Sequence, residues 1–474
     1  MAITPFYLFS NIGHVIAYII ITLLAFALIL ISSKLLKKFL SFVLCISLFV
    51  FLLNPSIVRQ IIFYNEENQY YYRTIFDHLV MYIDIFVAVN IIVDNFKNKG
   101  NKSIIYILAF PFIIYSFLNP NMLYYSNVIA EYLNNISLIG YCVFMPILFV
   151  CYLDRIRIFV CFDNEKISFN GIIEFLFMLI ICFPVELTNR THLVYHEGLY
   201  VPFKGRYLDS INSKLFGPIY WLTIVYLLII SFFYLFYTKK YCKDKKTFIL
   251  KSVICLGIQD YISRANFFYD NHFGAKIIID SACGFLIISA LIYLLFNKKS
   301  FAYFSCFVLA PIAVMYIFLN RFSDVIYNFF YYHNLNSIHY HIMMVPIGFS
   351  ILFLERNIEI KSILKSLYIG PLVIINYSFF VNIIGLLEIA FDTDLNYLYL
   401  NGFMAFQCLL PGLSIYVMNI KFVYKQIIFY PINIIVNIIL FPLLEIIMYF
   451  VIYKILLFKS HNKYDIVKKE PFES

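Results

Sequence analysis

Residues 216–238 read FGPIYWLTIVYLLIISFFYLFYT and contain no charged side chain. In a helix, which rises about 1.5 Å per residue, roughly 20 such residues cross the hydrocarbon core of a bilayer. Lys239 and Lys240 follow directly, as basic residues do on the cytoplasmic side of a span. Comparable stretches recur along the chain, so we predict an all-α, polytopic membrane helical bundle.

The composition argues against a water-soluble fold. Of the 474 residues, 62% are hydrophobic and only 13% are charged, whereas soluble domains carry about 25% charged residues. Such a chain would expose a large apolar surface to water. Its net charge of +9 lies mainly in short basic loops, which indicates membrane topology rather than nucleic-acid binding. We therefore expect membrane lipids, and no nucleic acid, as partners.

The apolar stretches predict thirteen spans, or fourteen if residues 401–420 cross the membrane rather than forming a re-entrant or interfacial segment. Basic loops follow alternate spans, which puts the N-terminus outside and the C-terminus in the cytoplasm of a bacterial cell. A cytoplasmic C-terminus requires an odd number and favours thirteen. The predicted spans are 11–33, 39–57, 75–94, 103–119, 127–153, 170–187, 216–238, 247–265, 277–296, 300–319, 336–354, 362–390 and 427–457.

The two halves of the chain resemble each other at an offset of about 200 residues. Residues 109–111 (AFP) correspond to 309–311 (LAP), and 153–155 (LDR) correspond to 354–356 (LER). An even number of helices per unit keeps both copies in the same orientation. The alternative is that two apolar sequences align easily by composition alone. We predict two parallel six-helix repeats, at 1–215 and 216–457, and a basic cytoplasmic tail at 458–474.

Short motifs lie at matching places in the two predicted repeats. Segments 77–80 (DHLV) and 280–283 (DSAC) begin the third helix of each, and 337–339 (SIH) opens the fifth helix of the second. In these motifs each half resembles the YwaF-like integral membrane proteins, which typically carry a single copy. Relatives of that family include the transmembrane acyltransferase of ether-linked phospholipids. The resemblance therefore implies acyl transfer on a membrane lipid.

The two copies depart from the family's His-x-Cys motif in different ways. The first copy keeps His78 but has Val80 at the cysteine position. The second copy has Ser281 for the histidine and keeps Cys283, together with His339 of the Ser-His segment. The resemblance therefore places a Cys/His pair in the second repeat alone.

Cys283, His339 and Asp280 form the candidate catalytic set. The predicted spans of Cys283 and His339 both run from outside to inside, and the two residues lie at similar depth near the outer surface. A neighbouring histidine holds a cysteine as the nucleophilic thiolate. Asp280 lies three residues before Cys283, on the same face of the predicted helix, and would orient His339. The alternatives are a packing cysteine and a histidine hydrogen-bonded to a loop.

Ionisable residues within the first repeat form a candidate substrate-binding set. Asp77 and Asp84 are seven residues apart on one helical face, beside His78. With His14 and Glu131 they would line a polar cavity, because charged groups inside a membrane are costly and mark functional sites. Structural pairing among the same residues is the alternative.

The longest loop, 188–215, is predicted to lie outside and also belongs to the substrate-binding set. Arg190 and Arg206 would clamp a phosphate or a sugar above the membrane. A solvated connection is the alternative. The sequence shows no Walker loop, dinucleotide fingerprint or HExxH motif, so we predict no cofactor and no metal.

Three functions remain open at this point. The first is a phospholipid acyltransferase-like enzyme that uses the Cys/His pair of the second repeat. The second is a transporter or lipid flippase, favoured by the duplicated unit and the carboxylates within the spans. The third is a cell-surface glycan polymerase or ligase, favoured by many helices and a charged outer loop.

Overall fold

The computed structural model describes a helical protein and confirms the predicted helical class. It describes residues 12–31, 34–52, 68–97, 104–118, 142–157, 170–182, 217–265, 284–320, 332–355, 358–373, 375–376, 422–424, 427–429, 435–436 and 438–452. The predicted segment 401–420 and the tail 458–474 lie outside the described residues.

Six helical elements are described before residue 160. They are α1 (Ile12–Leu30), α2 (Lys34–Leu52), α3 (Asn68–Phe96), α4 (Ile105–Leu108), α5 (Phe110–Leu118) and α6 (142–157). The short break between α4 and α5 lies beside Pro111, which has no N–H to donate to the preceding turn.

The remaining helices with named bounds lie between residues 170 and 452. They are α7 (Asn170–Cys182), α8 (Pro218–Lys240), α9 (Lys245–Ala265), α10 (Phe285–Phe296), α11 (Lys299–Phe304), α12 (Ala310–Met315), α13 (Tyr332–Ser350), α14 (Ile360–Ser366) and α15 (Ile438–Ile452). Wide π-helical turns at Ser305–Leu309 and Tyr316–Asn320 extend α11 and α12 without a break, and a 3₁₀ turn at Ile351–Leu354 ends α13.

One predicted helix is wrong at its start. The stretch 427–457 was expected to be helical throughout, but β1 (Phe422–Tyr424) pairs antiparallel with β2 (Ile427–Phe429). β-branched and aromatic residues favour an extended strand, and Pro431 disfavours helix for the residue before it. The helix of this region is α15, which begins at Ile438.

Hydropathy located the apolar centres of the helices better than their ends. The predicted span 39–57 corresponds to α2, which starts earlier, at Lys34, and the span 75–94 corresponds to the longer α3. Polar residues at the start of α2 and at both ends of α3 continue these helices, because backbone hydrogen bonding does not stop where the hydrophobic run stops. The charged ends are where the polar clusters described below are found.

Three of the described helices are long and apolar enough to cross a membrane: Ile12–Leu30, Tyr220–Lys240 and Lys299–Phe318. In the first, only 17% of the apolar window is buried, whereas in the last 72% is buried. Shorter apolar helices are α7, α10, Ile338–Leu354 and α15. Leu23 and Leu24 of α1 and Phe232 of α8 are among the large side chains left exposed, as lipid-facing residues are.

The described residues fall into two compact units. Unit 1 takes its residues from Met1–Trp221, Lys240–Asn271 and Val325–Tyr340, and unit 2 from Leu222–Lys239, His272–Asp324 and His341–Ser474. In unit 1, α3 packs against α2, α5 and α9. In unit 2, α11 packs against α10 and α14. The division into repeats at residues 215 and 216 stays a prediction.

Close helix packing in unit 2 depends on a glycine. A Cβ added at Gly348 would lie 2.7 Å from the Cβ of Ala310, nearer than real Cβ contacts allow. This close approach brings the Cys306 Sγ within 3.0 Å of the Gly348 carbonyl oxygen, to which the thiol donates. α13 therefore packs directly on the helix that carries Cys306 and Ala310.

Candidate functional site

Unit 1 contains a buried lysine that lies between two carboxylates. The Lys251 Nζ on α9 lies 3.5 Å from Glu174 Oε2 on α7 and 4.0 Å from Asp94 Oδ1 on α3. The Lys251 and Asp94 side chains are 3% and 4% exposed, and that of Glu174 is 17% exposed. Tyr106 of α4 donates its hydroxyl to Asp94 Oδ2 at 3.1 Å. We call Lys251, Asp94, Glu174 and Tyr106 the Lys251 cluster.

Local sequence explains how Lys251 reaches this position. Asp244 caps the start of α9: its Oδ1 accepts the Thr247 backbone N–H at 3.1 Å, and its Oδ2 accepts the Thr247 hydroxyl at 2.7 Å. Lys251 follows four residues after Thr247, about one helical turn further in. Lys97, which follows α3, donates to the Thr247 hydroxyl. The cap thus fixes the beginning of α9 against the end of α3.

A second layer of polar contacts surrounds the end of α3. Arg155 of α6 donates to the Asn95 side-chain oxygen, and Asn95 donates to the Ser41 hydroxyl at 2.8 Å. Tyr152 of α6 donates to the backbone carbonyl of Tyr106. These contacts hold the Asp94 neighbourhood between three other helices, because each one joins a different pair of elements.

Asp154 on α6 is the acceptor of a second ion-pair group in unit 1. Lys37 of α2 lies 2.7 Å from Asp154 Oδ2, and Arg157 lies 3.1 Å from its Oδ1. The Asp154 side chain is 5% exposed, whereas that of Arg157 is 50% exposed. The group therefore reaches from the buried side of α6 to the surface.

These contacts lie at one end of unit 1. They join the last turns of α3 and α6 to the first turns of α2, α4 and α9. Helices that alternate in direction bring such ends together, as they do in an antiparallel bundle. Charged groups are therefore concentrated at one face of the bundle.

Unit 2 contains a comparable arrangement in which the lysine and one of the carboxylates are exposed. The Lys299 Nζ lies 3.4 Å from Glu355 Oε2 and also bonds Glu359 Oε1. Tyr293 of α10 donates to Glu355 Oε1 at 2.6 Å. Asn297 adopts a left-handed conformation with φ of 56°, which ends α10 and lets α11 begin at Lys299. We call Lys299, Glu355, Glu359 and Tyr293 the Lys299 cluster.

Glu359 forms an ion pair with Lys299 at the surface of the protein. Hydrogen bonds from Lys299 and then from the Ser362 hydroxyl lower the pKa of the Glu359 carboxyl. The side chain is 49% exposed, so water screens the pair with Lys299. The Lys299 cluster joins the starts of α11 and α14 at the surface of unit 2.

The predicted catalytic set is only partly visible. Cys283 and Asp280 lie outside the described residues, so whether they meet His339 stays a prediction. His339 is 4% exposed, and its Nε2 lies 2.9 Å from the Ile180 carbonyl oxygen on α7. Because a carbonyl oxygen only accepts, Nε2 is the protonated nitrogen of the ring.

The predicted substrate-binding set is distributed in the same way. Glu131, Arg190 and Arg206 lie outside the described residues. Asp77 and His78 belong to α3. The structure describes the helix backbone at these two positions but not their side chains. The structure describes the His14 side chain on α1, which is partly buried. Asp84 is described as well and is 4% exposed.

Sequence reasoning missed the Lys251 cluster. Asp94 is the last residue of the predicted span 75–94, and Glu174 and Lys251 lie near the starts of the predicted spans 170–187 and 247–265. The available signal was the apolar run Phe248–Leu250 immediately before Lys251, with Val253 and Ile254 soon after it. A lysine within such a run faces other helices rather than lipid.

No metal-binding arrangement is found in the part of the chain that the structure describes, where no three His, Cys, Asp or Glu side chains are grouped suitably. Burial raises the pKa of the Cys242 thiol, in the turn between α8 and α9, to about 12, which favours the protonated thiol at neutral pH.

No family model, no curated protein and no solved structure matches the chain. The resemblance to the YwaF-like family therefore stays a prediction from the motifs quoted above.

Proposed function

We propose that the protein is a polytopic membrane transporter, moving either a solute or a lipid, with the Lys251 cluster on its pathway. The supporting observation is a lysine of 3% exposure placed between Asp94 and Glu174 within unit 1. Ionisable groups buried among membrane helices are costly and typically mark substrate or ion pathways. Transport is the function that makes use of such a group without requiring a nucleophile.

The geometry of the cluster suits a gate. Lys251 is not held tightly by either carboxylate, since its Nζ is 3.5 and 4.0 Å from the two acceptors. A lysine side chain is flexible and can change partners with little movement of the helices. A passing charged group can therefore replace one carboxylate as the partner of Lys251 while the other remains.

The proposed architecture is thirteen spans in two parallel six-helix repeats, with the N-terminus outside and the C-terminus in the cytoplasm of a bacterial cell. Similar details at corresponding positions support it. Pro146 lies within α6 and Pro346 within α13. At the cytoplasmic end assigned to each of these helices, Asp154 pairs with Lys37 and Glu355 pairs with Lys299.

Reconstitution tests the transport proposal. The full chain would be placed in vesicles of phosphatidylethanolamine and phosphatidylglycerol. Recordings on a solid-supported membrane would detect charge movement when the concentration of a pool of solutes is raised suddenly. A fluorescent phospholipid, together with a membrane-impermeant reductant, would report movement of lipid between the two leaflets. We expect activity in one assay, its loss in Lys251→Met and its retention in the matched exposed variant Lys299→Met. Vesicles inactive in both assays would overturn the proposal.

A second candidate is acyl transfer on a phospholipid by Cys283, Asp280 and His339. The burial of His339 and the contact of its Nε2 with the Ile180 carbonyl favour this candidate. That contact fixes the orientation of the imidazole, as a base that takes a proton from a thiol requires.

Lipid analysis separates the two candidates. In a strain lacking the gene, rescue with the wild-type chain should restore the acyl composition of phospholipids, and rescue with Cys283→Ala should not. Cys142→Ala is the matched control, because that thiol is not part of the candidate set. An acyl composition unchanged by loss of the gene would reject acyl transfer and leave the transport proposal standing.

A further inference from the structure

Another buried carboxyl lies well inside unit 1, away from the Lys251 cluster. Asp84 is 4% exposed and lies on α3, which ends at Phe96. Twelve residues of helix separate Asp84 from Phe96. Asp84 is therefore about 18 Å from the polar end of the bundle, the end at which the charged groups of unit 1 are concentrated. That distance is more than half of the ~30 Å hydrocarbon thickness of a bilayer. The group is therefore central in the membrane if α3 crosses it.

Asp84 has one clear hydrogen-bond donor. The Ser116 hydroxyl of α5 bonds its carboxyl group. The other oxygen, Oδ1, is fully buried and has no hydrogen-bond partner among the described residues. Tyr18 of α1 lies close enough to interact electrostatically with Asp84, but its hydroxyl donates to the Phe117 carbonyl at 3.0 Å.

The helices around Asp84 supply few charges at this depth. α2, α6 and α7 contribute thiols, and the part of α9 whose side chains are described contributes the Asp260 carboxyl. Within the described chain, no basic side chain forms an ion pair with Asp84. Away from the polar end, the described titratable side chains on these elements are His14, Tyr18, Cys45, Tyr82, Tyr115, Cys142, Cys182, Cys255 and Asp260. Asp77 and His78 of α3 and Arg264 of α9 also belong to these elements, but their side chains are outside the described part of the chain.

This environment favours a neutral carboxyl. An ionised carboxylate without a cation is far more costly to bury than a protonated carboxyl, and one serine hydroxyl does not offset that cost. A metal ion does not fit either. Calcium takes about six to eight oxygen ligands, whereas the described partners of Asp84 provide a single hydroxyl. A proton needs no such set of ligands, so it is the cation that a site with one carboxyl and one hydroxyl can bind.

We propose that Asp84 is a proton-binding site and that the transporter is coupled to protons. Asp84 holds a proton on its carboxyl while buried. In the transport cycle it releases that proton to water on one side of the membrane and takes up another from water on the opposite side. This inference rests on the proposed transport function, to which it adds the coupling ion.

Infrared spectroscopy of the full chain in vesicles tests the resting proton. A protonated carboxyl in an apolar site gives a carbonyl stretch distinct from that of an ionised carboxylate. We expect this band at neutral pH in the wild type, its loss in Asp84→Asn, and no change in Glu359→Gln, the exposed control. A difference spectrum of the wild type minus Asp84→Asn that lacks this band would overturn the proposal, as would the absence of any such band in the wild type.

A second variant covers the case in which Asp84→Asn does not fold. Ser116→Ala removes the hydroxyl that bonds Asp84, so the carbonyl band should shift while remaining present. An unshifted band would mean that it belongs to another carboxyl.

Transport measurements separate this inference from the function on which it rests. A pH-sensitive dye inside the vesicles should report proton entry with substrate in the wild type. Asp84→Asn should retain exchange of substrate between the two sides but lose uptake driven by a proton gradient. Gradient-driven uptake by Asp84→Asn, or driving by sodium in place of protons, would overturn the coupling role. Absence of all transport in the wild type would instead refute the function, and the infrared band alone would decide whether Asp84 holds a proton.

Discussion

Lys251 in unit 1 and Lys299 in unit 2 each have two carboxylates within 4.0 Å, but their surroundings differ. The Lys251 side chain is 3% exposed and that of Lys299 is 37% exposed. In both clusters a tyrosine also donates to a carboxylate. The two clusters therefore make similar contacts and differ mainly in their access to water.

That difference determines what each cluster contributes. Two unit charges at 4 Å attract by about 1 kcal/mol in water and by about 4 kcal/mol at an effective dielectric constant of 20. Burial also removes the solvation of each charge, so a buried ion pair need not add net stability. It is nevertheless costly to break, because the remaining charge is left without solvent or partner. The Lys251 cluster is therefore sensitive to change, and the Lys299 cluster is tolerant.

The largest expected effect is that of Lys251→Met. Removing the ammonium group leaves Asp94 buried without a cation, which should lower the free energy of unfolding by about 3–5 kcal/mol. Loss of helical circular dichroism during titration with SDS in mixed micelles would measure it. Lys251→Arg is the control that keeps the charge. An unfolding curve for Lys251→Met that overlays the wild type would show that Lys251 is not a buried partner.

A double variant sharpens the assignment to Asp94. Asp94→Asn neutralises the carboxylate that Lys251→Met leaves unpaired, so the double variant should be less destabilised than the sum of the single variants. We expect a coupling of about 0.5–3 kcal/mol, as for residues in contact. The same titration measures all three proteins. Strict additivity would mean that Glu174 alone is the partner of Lys251.

The response to salt should distinguish the two clusters further. Lys299→Ala should change stability far less than Lys251→Met, and its small effect should disappear at high ionic strength because water and ions screen exposed charges. The effect of Lys251→Met should persist in the same buffers. Thermal unfolding in detergent at low and high sodium chloride would compare the two variants. A salt-sensitive Lys251→Met would argue that water reaches the cluster.

The smallest expected effect concerns pH. The pKa of Glu359 is lowered in the folded protein by its bonds to Lys299 and Ser362, so its contribution is present above the ordinary glutamate pKa of about 4.3. It should be lost as the pH falls through the lower folded value. Comparing the wild type with Glu359→Gln in thermal unfolding across that range would reveal it. The two curves should diverge above this range and converge below it.

Sequence patterns anticipated the helices more successfully than the contacts of the site. The run 216–238 predicted α8 within two residues at each end, because an uninterrupted apolar stretch has few alternatives to a helix. The same reasoning failed at 427–429, where local strand propensity and Pro431 overruled the hydropathy of the longer stretch. The candidate set included Asp84 but not Asp94 or Lys251, since these residues lie close to the ends of predicted spans, where charged residues are common.

By itself, the sequence determined that this chain is helical and rich in segments able to cross a membrane, because both properties follow from composition and from runs of neighbouring residues. Only the tertiary structure decided which charges are buried and paired. Asp94, Glu174 and Lys251 are far apart along the chain and come together through the packing of α3, α7 and α9. Whether a charged side chain is buried depends on which other helices pack over it, so no pattern of neighbouring residues can specify its burial.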